Sequence, residues 1–263
     1  MNKLVLIVIF FWLIAIILKL ISGFDSSQMD LDQILSEPNF LSWFGRDDYG
    51  RDIFYRLIDG FLNSFEIILF VTIISSVTGV VIGIFSGYFG GRLDQCVRYV
   101  TTLFMSFPGI LLAIAFAAIL SPGKFNLVLA LSIGGWVGYA RLARAQTVLV
   151  KNLEFVKASE SMGSSHTWII TQHIFPSLLT PLIVEGTYAV AGLIIAEASL
   201  SFLGLGLQAP EASWGGMMRD SVRFLLISPH YAIFVGLSIM SLVYCVNFFG
   251  DYLHRKWDIK NEG

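Results

Sequence analysis

With 263 residues, 56% of them apolar and only 14% charged, and a mean hydropathy of +0.73, the chain is too apolar for a water-soluble domain and reads as an integral membrane protein. A net charge of −2 and the lack of any basic run argue against a polyanion partner, so nucleic acid is not expected to bind. Two cysteines, Cys96 and Cys245, both in or beside apolar stretches, argue against a disulfide framework or metal cage and are expected to be packed thiols.

Apolar stretches near the roughly 20 residues that span a bilayer lie at 4–22, 66–88, 98–120, 126–142, 180–204 and 230–250. The expectation is an all-α membrane protein with six transmembrane helices, one domain over residues 1–263, and both termini on the same side. The first stretch starts after Lys3, lacks a small-residue cleavage site and carries Lys19 near its end, so it reads as a retained span rather than a signal peptide. Residues 23–64 follow as an outward-facing interfacial segment. From Asp25 to Asp59 eight acidic residues stand against three arginines, and Trp43, Phe44, Tyr49, Phe54 and Tyr55 supply aromatics suited to a membrane interface.

In the second span Gly79, Gly83 and Gly87 recur at four-residue spacing, which predicts close approach of a neighbouring helix; Gly134, Gly135 and Gly138 in the fourth read the same way. Pro108, followed by Gly109, removes a helical hydrogen bond and predicts a kink in the third span. With the N-terminus placed inside, ten lysines and arginines, Lys3, Lys151, Lys157 and Lys260 among them, fall on the inner face and seven on the outer. That bias puts both termini in the cytoplasm.

The stretch from Glu154 to Pro176 is a polar island between spans, reading E-F-V-K-A-S-E-S-M-G, nine residues, then H-I-F-P. Good helix formers run from Glu154 to Met162, and Gly163 supplies a left-handed C-terminal cap. Ser164 or Ser165 can cap a second short helix running toward Ile174, with Pro176 opening the fifth span. Helix, tight turn, helix, with the small Ala158 and Ser159 one turn before the glycine, is a shape that slots into a partner protein. The segment 143–179 is therefore expected to be a cytoplasmic docking loop.

The island resembles the E-A-A, three residues, G, nine residues, I-x-L-P loop of bacterial ABC importer permeases: Ala158 matches the first alanine, Gly163 the glycine and Pro176 the proline. Lys157, Ser159, His173 and Phe175 stand where glutamate, the second alanine, isoleucine and leucine are usual, while His173 and Ile174 before the proline resemble the oligopeptide and dipeptide branch. Three further segments resemble that branch. They are Gly45, Asp47, Gly50, Arg51 and Asp52, with Arg46 where threonine is usual; Gly87 to Gly91 with Phe107, Pro108 and Gly109; and Glu197 to Gly206 followed by Ser213, Trp214 and Gly215.

The resemblance implies a type I-like permease of the bacterial inner membrane, a second-permease subunit in an importer of peptides or, alternatively, of nickel or a metal chelate. It implies as partners a second homologous permease, two ATPase domains, a substrate-binding protein and the lipid bilayer. Glu154, Lys157, Ala158, Ser159, Gly163 and Pro176 would then dock the ATPase. Asp47, Arg51, Asp52 and Trp214 would be candidate contacts of the binding protein. The chain holds no G-x-x-x-x-G-K-[ST] phosphate loop, so it is expected to be non-catalytic and to bind no cofactor, with ATP and Mg on the partner subunits.

A charge inside a span faces a cavity or a partner. Glu197, with Ser199 and Ser201 close by, either lines the route or hydrogen-bonds between helices, whereas Glu185 lies nearer the cytoplasmic end, where snorkelling explains it. His166, His173, His230 and His254 are scattered, so no metal site is expected. A self-contained secondary transporter or channel would need coupling charges of its own, and a membrane enzyme a clustered nucleophile, base or metal site; neither pattern is present.

Overall fold

A computed structural model describes residues 3–261 as helices joined by short connections, with no strand among the described residues. Met1, Asn2, Glu262 and Gly263 lie outside the described residues, as do the side chains of Lys3 and Lys260 that the inner charge count includes. In chain order the helices are α1 (Lys3–Ser22), α2 (Ile53–Phe89), α3 (Gly91–Met105), α4 (Gly109–Leu120), α5 (Lys124–Lys151), α6 (Glu154–Ser161), α7 (His166–Ile169), α8 (Phe175–Phe202), α9 (Trp214–Val222) and α10 (Pro229–Asn261). A π-helical turn, Ile170–Ile174, joins α7 to α8 without a break, so His166–Phe202 is one helix.

Four helices are long and apolar enough to cross a bilayer, Ile53–Phe89, Lys124–Lys151, His166–Phe202 and Pro229–Lys256, or five if α3 and α4 form one broken span. By this measure six crossings are not established. Each of the six apolar stretches does fall on helix, but the first offers only the shorter apolar stretch Val5–Ile21, and the third is interrupted. The Pro108 kink expected there is a full break, with α3 and α4 bent by 86°. Proline disfavours helical backbone at Phe107 before it, and a new helix starts when the Leu111 and Leu112 N–H groups bond the Pro108 carbonyl.

The main axis of the fold is the pairing of α2 with α5. A Cβ on Gly79 would collide with the Trp136 carbonyl oxygen; on Gly83 it would lie 2.8 Å from the Ala143 Cβ, and on Gly87 2.8 Å from the Arg144 carbonyl oxygen. The three glycines therefore set the interhelical distance, as their spacing predicted. Gly83→Val is expected to force the helices apart at a cost of about 1–3 kcal/mol, read as a lower unfolding temperature of the detergent-solubilised chain. An unchanged temperature would contradict the packing argument.

Near the middle of α1, Trp12 stacks on Phe61, with ring centroids 5.2 Å apart, and donates its indole N–H to Ser241 at 3.2 Å. Lys19 pairs with Asp59, which also accepts from Ser26, so the end of α1 is tied to α2. Helix α2 starts inside the segment expected to lie outside the bilayer. Its 37 residues span about 56 Å at 1.5 Å per residue, well beyond the roughly 30 Å hydrocarbon core. Both cysteines are free; Cys245 is buried as expected, but Cys96 is exposed on α3.

Candidate functional site

The polar island folds as a helix, a turn and a second helix. Helix α6 ends in a Schellman motif: Ser164 N–H bonds the Ser159 carbonyl at 3.1 Å, Gly163 N–H bonds the Glu160 carbonyl at 2.9 Å, and Gly163 has φ +83°. Ser165, rather than Ser164, caps α7 by accepting from the Trp168 N–H. The second helix does not stop before Pro176. The proline, which has no N–H, follows the π turn, where the Phe175 N–H bonds the Ile170 carbonyl five residues back.

The element is held rigidly from below. Val156, Ile169, Ile174 and Leu178 are buried against Ile84, Tyr88, Tyr139, Ala143 and Val150 of α2 and α5. The Tyr88 hydroxyl lies 2.9 Å from His166 Nδ1, and Lys151 Nζ donates to the Tyr88 carbonyl at 2.6 Å. Tyr88 thus joins the end of α2, the end of α5 and the start of α7. It lies inside the Gly87 to Gly91 motif, which was the available signal, yet sequence reasoning gave it no role.

Glu154, Lys157, Ala158, Gly163 and Pro176 are exposed, together with Phe155, Met162 and Trp168. Met162 at 80% exposure and Trp168 at 54% are large apolar side chains facing outward on an otherwise polar element. Ser159 is the exception among the expected docking residues. It is buried, and its hydroxyl donates to Ser164 at 2.8 Å, so it closes the turn rather than meeting a partner.

The three candidate pathway residues separate. Glu197 is 1% exposed; its Oε1 accepts from Ser201 at 2.8 Å and its Oε2 from Ser64 of α2 at 3.0 Å. Glu197 therefore bonds from α8 to α2, with Ser201 one turn along α8 holding its other oxygen, and both are buried away from the cavities. Ser199, half a turn away, faces a cavity of about 570 Å³ walled by α4, α5 and α8. This cavity contains two buried hydroxyls without a partner, Ser75 and Tyr139. A second cavity of about 820 Å³ lies on α3, α5 and α8, nearer the α6 end of α5, bordered by Arg98, Gly138, Arg141, Arg144 and Glu185. Arg144 is neutralised by Asp94, its Nη2 donating at 2.7 Å. Glu185, read from sequence as a snorkelling residue, thus borders a polar cavity.

Asp47, Arg51, Asp52 and Trp214, put forward as binding-protein contacts, are all buried. They hold the outer segment together instead. Asp47 Oδ1 accepts the Tyr49 and Arg51 N–H groups at 2.9 Å, and its Oδ2 accepts Arg51 Nε at 2.7 Å and lies 3.3 Å from Arg56 Nε. Asp52 caps α2 through the Phe54 N–H at 2.9 Å; burial pushes its carboxyl above the ordinary range, while the Tyr55 and Phe54 N–H groups pull it back. Trp214 donates to the Leu57 carbonyl at 2.9 Å. Among the described residues no group of three His, Cys, Asp or Glu side chains is placed to hold a metal ion.

Residues 79–259 match the family of binding-protein-dependent transport system inner membrane components. The chain is 36% identical to the dipeptide transport system permease protein DppC of Alkalihalophilus pseudofirmus, over 98% of this chain and 86% of that protein. It is 35% identical to the glutathione transport system permease protein GsiD of Pectobacterium atrosepticum, over 98% and 84%. Among solved structures it resembles an inward-facing form of the MetNI methionine ABC transporter with a TM-score of 0.64. The two share 19% identity over 77% of this chain and 96% of that one, a likeness of fold alone.

Proposed function

The chain belongs to the family of binding-protein-dependent transport system inner membrane components and is a multi-pass permease subunit of an ABC importer, and on that premise we propose that its cargo is di- and oligopeptides. Two relatives named for dipeptide and glutathione transport, each matched over nearly the whole chain, support peptides over nickel. The partners are a second homologous permease, a substrate-binding protein and two ATPase subunits that carry ATP and Mg, with both termini in the cytoplasm.

The observation that carries this reading is the α6–α7 element, which is rigidly seated on α2 and α5 yet turns Phe155, Met162 and Trp168 outward. Apolar side chains presented on a fixed polar scaffold suit the centre of a protein interface. Because α7 continues into α8 through the π turn, a push on the docking element moves a whole span. Shifting an access equilibrium from 1:99 to 99:1 takes about 5.5 kcal/mol of differential binding, and a rigid seat transmits that where a slack loop would dissipate it. The binding protein would meet the rim of a third cavity, of about 510 Å³ between the 23–64 segment and α9, where Glu211 and Arg223 are exposed, rather than the buried Asp47 set.

The test is uptake of radiolabelled dialanine by cells with and without the gene for this chain. Loss of uptake on deletion, restored by the plasmid-borne gene, is the expected result. Unchanged uptake of both a dipeptide and a longer peptide would contradict the cargo assignment.

A further inference from the structure

The polar cavity on α3, α5 and α8 has a charge arrangement that helix packing does not require. Arg144 is answered by Asp94, but Arg98, Arg141 and Glu185 border the same space with no ion pair among the described residues. Arg141 has only the Met105 sulfur at 2.7 Å, and Glu185 lies where a Cβ on Gly138 would approach its Oε1 at 3.1 Å, so a side chain there would crowd the carboxylate. Charges within spans are costly unless they serve water, a partner or a ligand.

Arg141 stands ten residues before Lys151, and Glu185 ten residues after Phe175, so each is about 15 Å along its helix from the docking end. The apolar cavity of about 570 Å³ lies on the same two helices, α5 and α8, beside α4. Its wall includes Tyr139, which is 3% exposed and has a hydroxyl without a hydrogen-bond partner, and the equally unpartnered hydroxyl of Ser75. Volumes of about 820 and 570 Å³ lie within the roughly 300–1,000 Å³ of small-molecule sites.

We propose that Glu185, Arg141 and Arg98 form a specificity filter for zwitterionic cargo in this groove. Glu185 takes the ammonium group and the two guanidinium groups take the carboxylate. This rests on the peptide-permease reading. A peptide with free termini carries both charges, and a groove presenting both signs, unpaired, offers each a partner without desolvating it alone. The groove would thus distinguish free peptides from capped or singly charged solutes after delivery.

The test uses the complete transporter in proteoliposomes, with binding protein outside, ATP inside and dialanine as cargo. Losing one charge-assisted hydrogen bond corresponds to about tenfold or more in rate. Glu185→Gln and Arg141→Gln are each expected to lower the kcat for uptake about tenfold, with KM little changed, because the binding protein sets delivery. Glu185→Asp and Arg141→Lys, which keep the charge, should recover most of the rate, and ATPase co-purification should match wild type in all four. Wild-type rates in both neutral variants would overturn the filter, as would loss of rate accompanied by loss of the ATPases, which marks a structural role. No dialanine uptake by the wild-type transporter would remove the peptide reading, and the filter with it.

Discussion

Gly163→Trp is expected to leave the chain inserted in the membrane at a normal level while abolishing ATPase co-purification and uptake. Gly163 has φ +83°, where a side chain costs roughly 1–2 kcal/mol, and the Schellman bonds around it place α7 relative to α6. No atom lies within 4 Å of the position a Cβ would take, so the folded core feels no clash. The damage falls on the turn itself and on the surface beside Met162, where an indole would hold a docking partner away. Gly163→Ala carries the backbone strain with far less bulk and should retain part of the activity. Size-exclusion profiles, pull-down of the ATPases and uptake together separate the effects; normal transport by Gly163→Trp would remove the docking role.

Asp47→Ala should be the most destabilising single change in the segment that joins α1 to α2. The Asp47 carboxylate accepts from Tyr49 and Arg51 and neutralises the buried Arg51 and Arg56. Removing one partner of a buried ion pair costs about 3–5 kcal/mol, because the remaining charge stays buried and unmatched. Thermal unfolding in detergent should show a large drop, and the yield of folded chain should fall, with no binding protein present. A variant as stable as wild type but impaired in binding-protein contact would instead restore the surface role that burial argues against.

The apolar stretches fell on every long helix, though α2 starts at Ile53, well before its stretch, and the four-residue glycine spacing on α2 foretold its close contact with α5. The helix–turn–helix at Gly163 was legible because Gly163 and the following serines have strong local preferences that no distant contact needs to override. The break at Pro108 was read as a kink, since a proline alone does not say whether the chain bends or restarts. Charges interleaved with aromatics look alike on an interface and inside a compact outer segment. Only the fold shows that Asp47 sits against Arg51 and Arg56. The choice between the two roles left open for Glu197, and the surroundings of Glu185, were hidden for a similar reason: Ser64, which bonds Glu197, is 133 residues away in sequence, and the cavity beside Glu185 forms only when α3, α5 and α8 meet.

Crosslinking distinguishes directly whether the α6–α7 surface grips an ATPase. Met162→Cys, expressed in the native membrane, is treated with a short cysteine-reactive crosslinker and the product is identified by mass spectrometry. The account predicts a covalent adduct with a subunit carrying a nucleotide-binding phosphate loop, suppressed when Gly163→Trp is added. Reaction of Met162→Cys with lipid or a second copy of this chain, and with no such subunit, would contradict it.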